Sequence, residues 1–321
     1  MPFLIPDYKP PLLFRDGHLG SILPYFFRPK FKVPYQRERI PTHDYDFLDI
    51  DWLRTGHSRC AILVHGLEGS SQSSYILSLA LFLQKNGWNV AALNLRGCSG
   101  EPNKLYRSYH SGATDDLKTT IDHVSKSHSE IAIIGFSLGG NIVLKYTGDS
   151  AHSIPKQIKA VVGVSVPCHL SSSSDKMERW DNLLYSYQFL FSLKAKLRTK
   201  MQLFPNTLSP EKYLKIKTIR LFDDMFTGPA NGFADGEDYY KNCSSKQVIS
   251  KIQVSTLIIN ALDDPFLTDK CFPRKEAETN PKVHLYMPNF GGHVGFWPET
   301  NAPTPKHEEW ILSFLAENNC S

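Results

Sequence analysis

The residues of this chain with the clearest chemical potential form the stretch Gly135-Phe136-Ser137-Leu138-Gly139. It follows the apolar run 131–134 and precedes residues 141–146, in which apolar side chains recur at helical spacing. A serine on a turn that joins a strand to a helix is held where a neighbouring base can reach its hydroxyl. The flanking glycines let the two backbones crowd around that turn. The pattern predicts a nucleophilic serine, although a short motif of this kind also arises by chance.

A nucleophilic serine needs a base and a group that orients the base, and later loops supply candidates for both. His293 lies in Gly291-Gly292-His293-Val294-Gly295, after the last predicted strand, and Asp263 and Asp264 follow the strand before it. Because the carboxyl ends of parallel strands share one edge of a sheet, we expect these loops to meet Ser137 there. The order serine, acid, histidine is one known for hydrolytic triads.

We therefore predict that His293 is the base and that Asp264 orients it. Asp264 lies one step further into its loop, just before Pro265, which suits a side chain that turns toward the histidine. Asp263 is the alternative acid, and we expect it to cap the turn instead. A histidine that merely packs within its loop is the alternative for His293.

Two backbone N–H groups are expected to form an oxyanion hole, which stabilises the negative charge that develops on the substrate oxygen. One is the N–H of Leu138, directly after the nucleophile. We predict that Leu67, in the stretch His65-Gly66-Leu67-Glu68-Gly69 after an earlier strand, supplies the other. For His65 we predict a structural role, in which its ring bonds backbone groups and holds this loop.

Composition and motifs exclude several other classes of protein. A net charge of +4 on 321 residues, without a basic run, argues against nucleic acid as a partner. No glycine-rich phosphate loop, signal peptide or apolar run of membrane-spanning length is found, so we expect a cytoplasmic protein without a cofactor or membrane span. Six cysteines without a C-x-x-C pair predict free thiols and no metal site, and they are Cys60, Cys98, Cys168, Cys243, Cys271 and Cys320.

The spacing of apolar residues predicts an α/β protein with a mostly parallel central sheet and helices on both faces. Residues 1–41 are rich in proline and aromatic residues and predict an irregular arm with a short helix near 18–25. Residues 44–52 predict a half-buried edge strand. The core is expected to span 42–166 and 237–321.

Residues 167–236 interrupt the alternation of strands and helices and predict a helical cap inserted into the core. Serines 171–174 predict a solvated linker into that cap. Aromatic and aliphatic residues crowd the stretch 180–193, and an apolar roof over the site favours an acyl chain as part of the substrate.

Taken together, the motifs resemble those of the YheT-like α/β-hydrolases, also called AB-hydrolase superfamily type 4. The resemblance extends from about residue 10 to the end, and the motifs quoted above share it with these stretches: Asn94-Leu95-Arg96-Gly97-Cys98-Ser99-Gly100, Ser108-Tyr109-His110-Ser111-Gly112, Phe222-Asp223-Asp224 and Asp238-Tyr239-Tyr240. It implies the α/β-hydrolase fold and a serine carboxylic-ester hydrolase that acts on short- to medium-chain acyl esters. Two alternatives remain open: an alcohol O-acyltransferase with the same triad, and a non-catalytic binding protein on a hydrolase scaffold.

Overall fold

A computed structural model of the chain describes residues 3–28, 31–300 and 302–318, so Cys320 lies outside the described residues. Within these ranges nine strands form one sheet, in the order β1-β9-β8-β7-β6-β4-β5-β3-β2. The strands are β1 (Phe3–Leu4), β2 (Gln36–Pro41), β3 (Phe47–Leu53), β4 (Arg59–Val64), β5 (Asn89–Asn94), β6 (Glu130–Phe136), β7 (Ile158–Val164), β8 (Ser255–Ile259) and β9 (Val283–Tyr286). Neighbouring strands are parallel except at β2–β3 and β3–β5, which confirms the predicted mostly parallel sheet.

Helices occupy both faces of the sheet and the long connection between β7 and β8. They are α1 (Gly17–Phe27), α2 (Ser74–Lys85), α3 (Thr114–Val124), α4 (Leu138–Asp149), α5 (Leu170–Met177), α6 (Leu183–Leu203), α7 (Pro210–Lys215), α8 (Ile219–Phe222), α9 (Gly228–Ala230), α10 (Gly236–Cys243), α11 (Lys246–Ile249), α12 (Arg274–Thr279) and α13 (Lys306–Glu317). A π-helical turn, Asp223–Thr227, joins α8 to α9, and 3-10 turns cover Leu12–Phe14, Trp180–Asn182 and Asp269–Cys271.

The sheet is buried on both sides because its central strands are apolar at successive positions. Ile133 of β6 belongs to the cluster that contains the inner faces of α3 and α4, whereas Ile134 packs with α2 and α13 on the other side. Side chains alternate across a strand, so a strand covered on both faces must be apolar at both. This packing fixes the carboxyl ends of β4, β6, β8 and β9 at one edge of the sheet.

The segment 1–41 differs from the predicted irregular arm. Its residues 3–4 form β1, and residues 36–41 form β2, which is hydrogen-bonded to β3 as the outermost strand. β3 is therefore buried at all seven positions, and the prediction of a half-buried edge strand is wrong. The predicted short helix near 18–25 is α1, which extends from Gly17 to Phe27.

Serines 171–174 are also unlike their prediction, because they lie in α5 and not in a solvated linker. Ser172, Ser173 and Ser174 are buried. The Ser173 hydroxyl donates to the carbonyl oxygen of Phe266 (2.9 Å), and the Ser174 hydroxyl lies 3.0 Å from that of Tyr240. Because these hydroxyl groups have hydrogen-bond partners, the serines can be buried in a packed helix.

Candidate active site

Ser137 occupies the sharp turn between β6 and α4. Its backbone has φ 51° and ψ −119°, a conformation that residues other than glycine rarely adopt. The N–H of Ser137 donates to the carbonyl oxygen of Val164 (2.8 Å), and this bond anchors the turn to β7. A Cβ atom on Gly135 would overlap the backbone of Gly139, and one on Gly139 would overlap the carbonyl groups at the end of β4. The two glycines are therefore required by close packing around the serine.

The structure brings Ser137, His293 and Asp264 together in one hydrogen-bonded chain. His293 Nε2 lies 2.9 Å from Ser137 Oγ, and His293 Nδ1 lies 2.9 Å from Asp264 Oδ2. The second carboxylate oxygen, Asp264 Oδ1, accepts from the N–H of Phe266 (2.9 Å), and the carboxylate is fully buried. Because a carboxylate only accepts, Nδ1 carries the proton and Nε2 is free to accept the serine proton. The Phe266 ring, with its centroid 4.3 Å from that of the imidazole, covers one side of it.

Asp263 has a different place from its neighbour. Its Oδ1 accepts from the N–H of Gly292 (2.9 Å), so it bonds the histidine loop and not the imidazole. Burial is the main cause that raises the pKa of this carboxyl to about 6, and the nearby charge of Asp264 adds to the effect. Of the two candidate acids, Asp264 is thus the one in contact with His293.

The loop that carries His293 is held by α1, which sequence reasoning did not connect with the site. Ser21 Oγ accepts from the N–H of His293 (2.7 Å). The buried guanidinium of Arg28 donates to the carbonyl oxygens of Val294 and Gly295 (3.0 and 2.6 Å). Gly292 has φ +56°, and a Cβ there would lie 2.7 Å from the backbone of α1, so helix and loop meet without side chains between them.

Leu67 and Leu138, the predicted oxyanion donors, lie on two segments in direct contact. A Cβ on Gly66 would lie 3.2 Å from the Ser137 Cβ, so the loop after β4 passes beside the serine. Leu138 is the first residue of α4, and its N–H has no helical acceptor. The N–H of Gly66 on one side of Leu67 donates to the Tyr75 hydroxyl (2.9 Å). Both Leu67 and Leu138 line the cavity that also contains Ser137.

His65 has the structural contacts expected of it. Its Nδ1 donates to the carbonyl oxygen of Gly66 (2.8 Å), and its Nε2 accepts from the N–H of Leu95 (3.1 Å). Burial lowers the pKa of the imidazole to about 4, so the ring is neutral near pH 7. The prediction that His65 bonds backbone groups is confirmed.

Comparison with known proteins places the sequence in a family. The sequence profile described as "alpha/beta hydrolase fold" matches residues 62–300, which is most of the chain.

The chain is a YheT-like member of the alpha/beta hydrolase fold family. It is 33% identical to YheT of Escherichia coli (strain K12), named as a candidate esterase, over 98% of this chain and 95% of that protein. It is 29% identical to the human phospholipase ABHD3, over 92% of this chain and 76% of that protein. Among solved structures, the Pyrococcus furiosus esterase Pf2001 superposes with a TM-score of 0.58 at 19% identity, over 88% of this chain and 92% of that one. That likeness supports the fold alone.

A further cluster in this α/β-hydrolase, centred on Glu68, joins the loop after β4 to α6. Glu68 has φ +55°, and its N–H donates to the Tyr109 hydroxyl (2.8 Å). Its nearly buried carboxylate accepts from Tyr109 (2.7 Å), from Lys196 Nζ (2.9 Å) and from the Ser192 hydroxyl. No local sequence pattern indicates this cluster, because its members come from three distant segments.

Ser137 and His293 line a cavity of about 970 Å³. Its walls are largely apolar and come from α1, the loop after β4, and the helices between β7 and β8, with Met177, Tyr185, Phe189 and Phe226 among them. No group of three or more His, Cys, Asp or Glu side chains that could hold a metal ion occurs in residues 3–28, 31–300 and 302–318. Over the same ranges, no helix is long and apolar enough to cross a membrane.

Proposed function

We propose that this α/β-hydrolase is a serine carboxylic-ester hydrolase that acts on short- to medium-chain acyl esters through an acyl-enzyme. The observation that carries the proposal is the unbroken series of hydrogen bonds from Ser137 through His293 to the buried Asp264, with Ser137 and His293 in the wall of a largely apolar cavity. A serine hydroxyl next to a base, with the base oriented by a carboxylate, is the arrangement that nucleophilic catalysis needs.

In the first half of the proposed reaction, Ser137 Oγ attacks the ester carbonyl carbon while His293 Nε2 takes the hydroxyl proton. The carbonyl oxygen becomes an oxyanion that accepts hydrogen bonds from the N–H groups of Leu67 and Leu138. Asp264 stabilises the imidazolium that forms and keeps its Nδ1 proton in place. The tetrahedral intermediate then collapses, and the alcohol leaves with the proton from His293.

In the second half, a water molecule attacks the acyl-enzyme carbonyl and gives a proton to His293. The second tetrahedral intermediate breaks its bond to Ser137 Oγ, which regains its proton from the imidazole, and the carboxylic acid is released. These steps use only side chains and backbone groups of this chain, and they require no cofactor.

The cavity supports the substrate class. Sites of roughly 300–1,000 Å³ enclose small organic ligands, and the volume here, about 970 Å³, is at the upper end of that range. We propose that residues 167–236 act as a cap, since α5, α6 and α8 contribute to the cavity walls. We also propose a cytoplasmic location, which is supported by the free thiols at Cys60, Cys98, Cys168, Cys243 and Cys271.

Hydrolysis of p-nitrophenyl acetate, butyrate, octanoate and palmitate tests the proposal. We expect the highest kcat/KM for butyrate or octanoate, and loss of turnover in Ser137→Ala. Product analysis in water–alcohol mixtures separates hydrolysis from acyl transfer, because a transferase would form the new ester in strong preference to the free acid. Unchanged turnover in Ser137→Ala would refute the proposed nucleophile.

A further inference from the structure

We propose that an exposed apolar face around the mouth of the cavity docks on a lipid surface that contains anionic lipids. This apolar face comprises Tyr25, Phe26 and Phe27 from α1, and Trp180, Leu183, Leu184, Tyr187 and Phe191 from α6 and the turn before it. The role of docking in substrate delivery rests on the proposed esterase function, whereas the docking itself does not.

The outer side of α6 is apolar where a surface helix is normally polar. Leu184, Tyr187 and Phe191 are spaced so that they share one side of the helix, and they are 83%, 73% and 65% exposed. The opposite side of α6 packs against the rest of the protein, because Leu193 and Leu197 are buried in a cluster with Phe222 and Phe226. The exposed stripe is therefore not needed to hold α6 in the fold.

The end of α1 adds exposed aromatic side chains, of which Tyr25 and Phe26 line the same cavity as Leu184 of α6. Tyr25, Phe26 and Phe27 are each about two thirds or more exposed. The two helices are in contact, since the ring centroids of Tyr185 in α6 and His18 in α1 are 5.9 Å apart. Exposed apolar side chains gathered around one cavity mark a site of interaction with a membrane or another protein.

The cavity distinguishes between those two kinds of partner. Tyr25, Phe26 and Leu184 belong to the exposed face and also line the cavity that contains Ser137. A protein seated on this face would cover the opening through which an ester must pass. A lipid surface would instead place ester molecules at that opening, because its acyl chains are continuous with the apolar walls.

Charge near the apolar face favours an anionic lipid surface. α6 contains no Asp or Glu but four basic residues in its second half, of which Arg198 is exposed. Arg198 Nε donates to the Tyr213 hydroxyl of α7 (2.6 Å), and α7 also carries the exposed Lys212 and Lys215 with one exposed acid, Glu211. Lysines and arginines beside an apolar helix face add electrostatic attraction to anionic headgroups, and tryptophan and tyrosine favour the interface.

Flotation of the full chain with lipid vesicles tests this proposal. Ser137→Ala is used so that the vesicle lipids are not consumed, and vesicles of phosphatidylcholine are compared with vesicles that also contain phosphatidylserine. We expect binding to the phosphatidylserine vesicles that weakens as salt is raised. Tyr187 and Phe191 do not line the cavity. Adding Tyr187→Ser and Phe191→Ser should weaken binding to the phosphatidylserine vesicles at least about tenfold. Tyr45→Ser, an exposed tyrosine on the β2–β3 turn, should leave binding unchanged.

Several outcomes would overturn the proposal. The first is that Ser137→Ala binds neither kind of vesicle. The second is that adding Tyr187→Ser and Phe191→Ser leaves its binding unchanged. The third is that the protein forms a dimer through this face and does not bind vesicles. The Tyr187→Ser/Phe191→Ser pair with Ser137 intact should hydrolyse soluble p-nitrophenyl butyrate at the wild-type rate, which also shows that it folds. A chain that floats but hydrolyses nothing would refute the esterase function alone, and a chain that hydrolyses but does not float would refute docking alone.

Discussion

The backbone N–H of His293 donates a 2.7 Å hydrogen bond to the hydroxyl of Ser21, although the two residues are 272 positions apart. The same hydroxyl donates to the carbonyl oxygen of Gly17 within α1. Ser21 thus links the amino-terminal helix to the loop that carries the proposed base. The position of the imidazole depends on α1 as well as on Asp264.

Replacing Ser21 by alanine should slow catalysis more than it weakens substrate binding. The variant leaves the His293 N–H without its acceptor and loosens the loop, and a misplaced base slows the chemical step. We expect kcat to fall on the order of tenfold with KM changed less than about twofold. Leu19→Ala, on the exposed side of the same helix, is the control and should keep wild-type kcat. Equal kcat in the Ser21 variant and the control would show that this contact does not position the base.

The two neighbouring aspartates allow a matched comparison. Asp264→Asn removes the carboxylate that accepts from His293 Nδ1, and we expect kcat to fall by a factor on the order of 10⁴. Asp263→Asn keeps an oxygen that accepts from the Gly292 N–H, and a loss of less than about fivefold is expected. Steady-state kinetics with p-nitrophenyl butyrate measures both. The reverse order of effects would make Asp263 the orienting acid.

Glu68→Gln tests the link between the loop after β4, which carries the proposed oxyanion donor Leu67, and α6. The substitution removes the charge that binds Lys196 and weakens the contacts that hold Glu68 at φ +55°, next to Leu67. A complete loss of one oxyanion donor lowers kcat by roughly 10²–10³, so a displaced donor should lower it on the order of tenfold. Lys196→Gln removes the same ion pair from the other side and should give a similar loss. If both variants keep wild-type kcat, the cluster is only structural.

Stability should depend on pH through Glu308, which is buried in α13. Burial is the main cause that raises the pKa of this carboxyl to about 7, above its ordinary value of 4.5. Between pH 4.5 and about 7 the folded state therefore holds a proton on Glu308 that the unfolded state has lost. The free energy of unfolding consequently decreases as pH rises through this range. Glu308→Gln has no such proton to lose. Between about pH 5 and pH 8 the variant should gain on the order of 2 kcal/mol relative to wild type in urea unfolding. Parallel pH dependences would contradict this assignment.

Much of the site was predictable because local sequence patterns encode it. The apolar runs before Ser137, Asp264 and His293 form strands of one parallel sheet, and residues that follow such strands meet at one edge whatever the order of the strands. The glycines at 135 and 139 report the close packing of the elbow directly. The choice of Asp264 over Asp263 depended on one step of loop geometry, and the contact with His293 agrees with it.

The parts that sequence reasoning missed depend on contacts between distant segments. Nothing in the proline-rich amino-terminal region indicates that Ser21 and Arg28 bond the histidine loop. Glu68 lies beside a predicted oxyanion donor, but its partners Ser192 and Lys196 come from α6. The prediction of a half-buried edge strand at residues 44–52 is wrong because β2 pairs with β3 and lies outside it in the sheet. The residues of β2 show no clear strand pattern. Tertiary pairing of this kind leaves no local signal.

Reaction with a fluorophosphonate probe, followed by mass spectrometry of the peptides, tests the central claim most directly, because the probe reacts with activated serines. Our account predicts a single adduct on Ser137, none on Ser137→Ala, and labelling slowed by a factor on the order of 10³ in His293→Ala. Labelling of another residue, or labelling of Ser137 at the same rate without His293, would contradict the proposed triad.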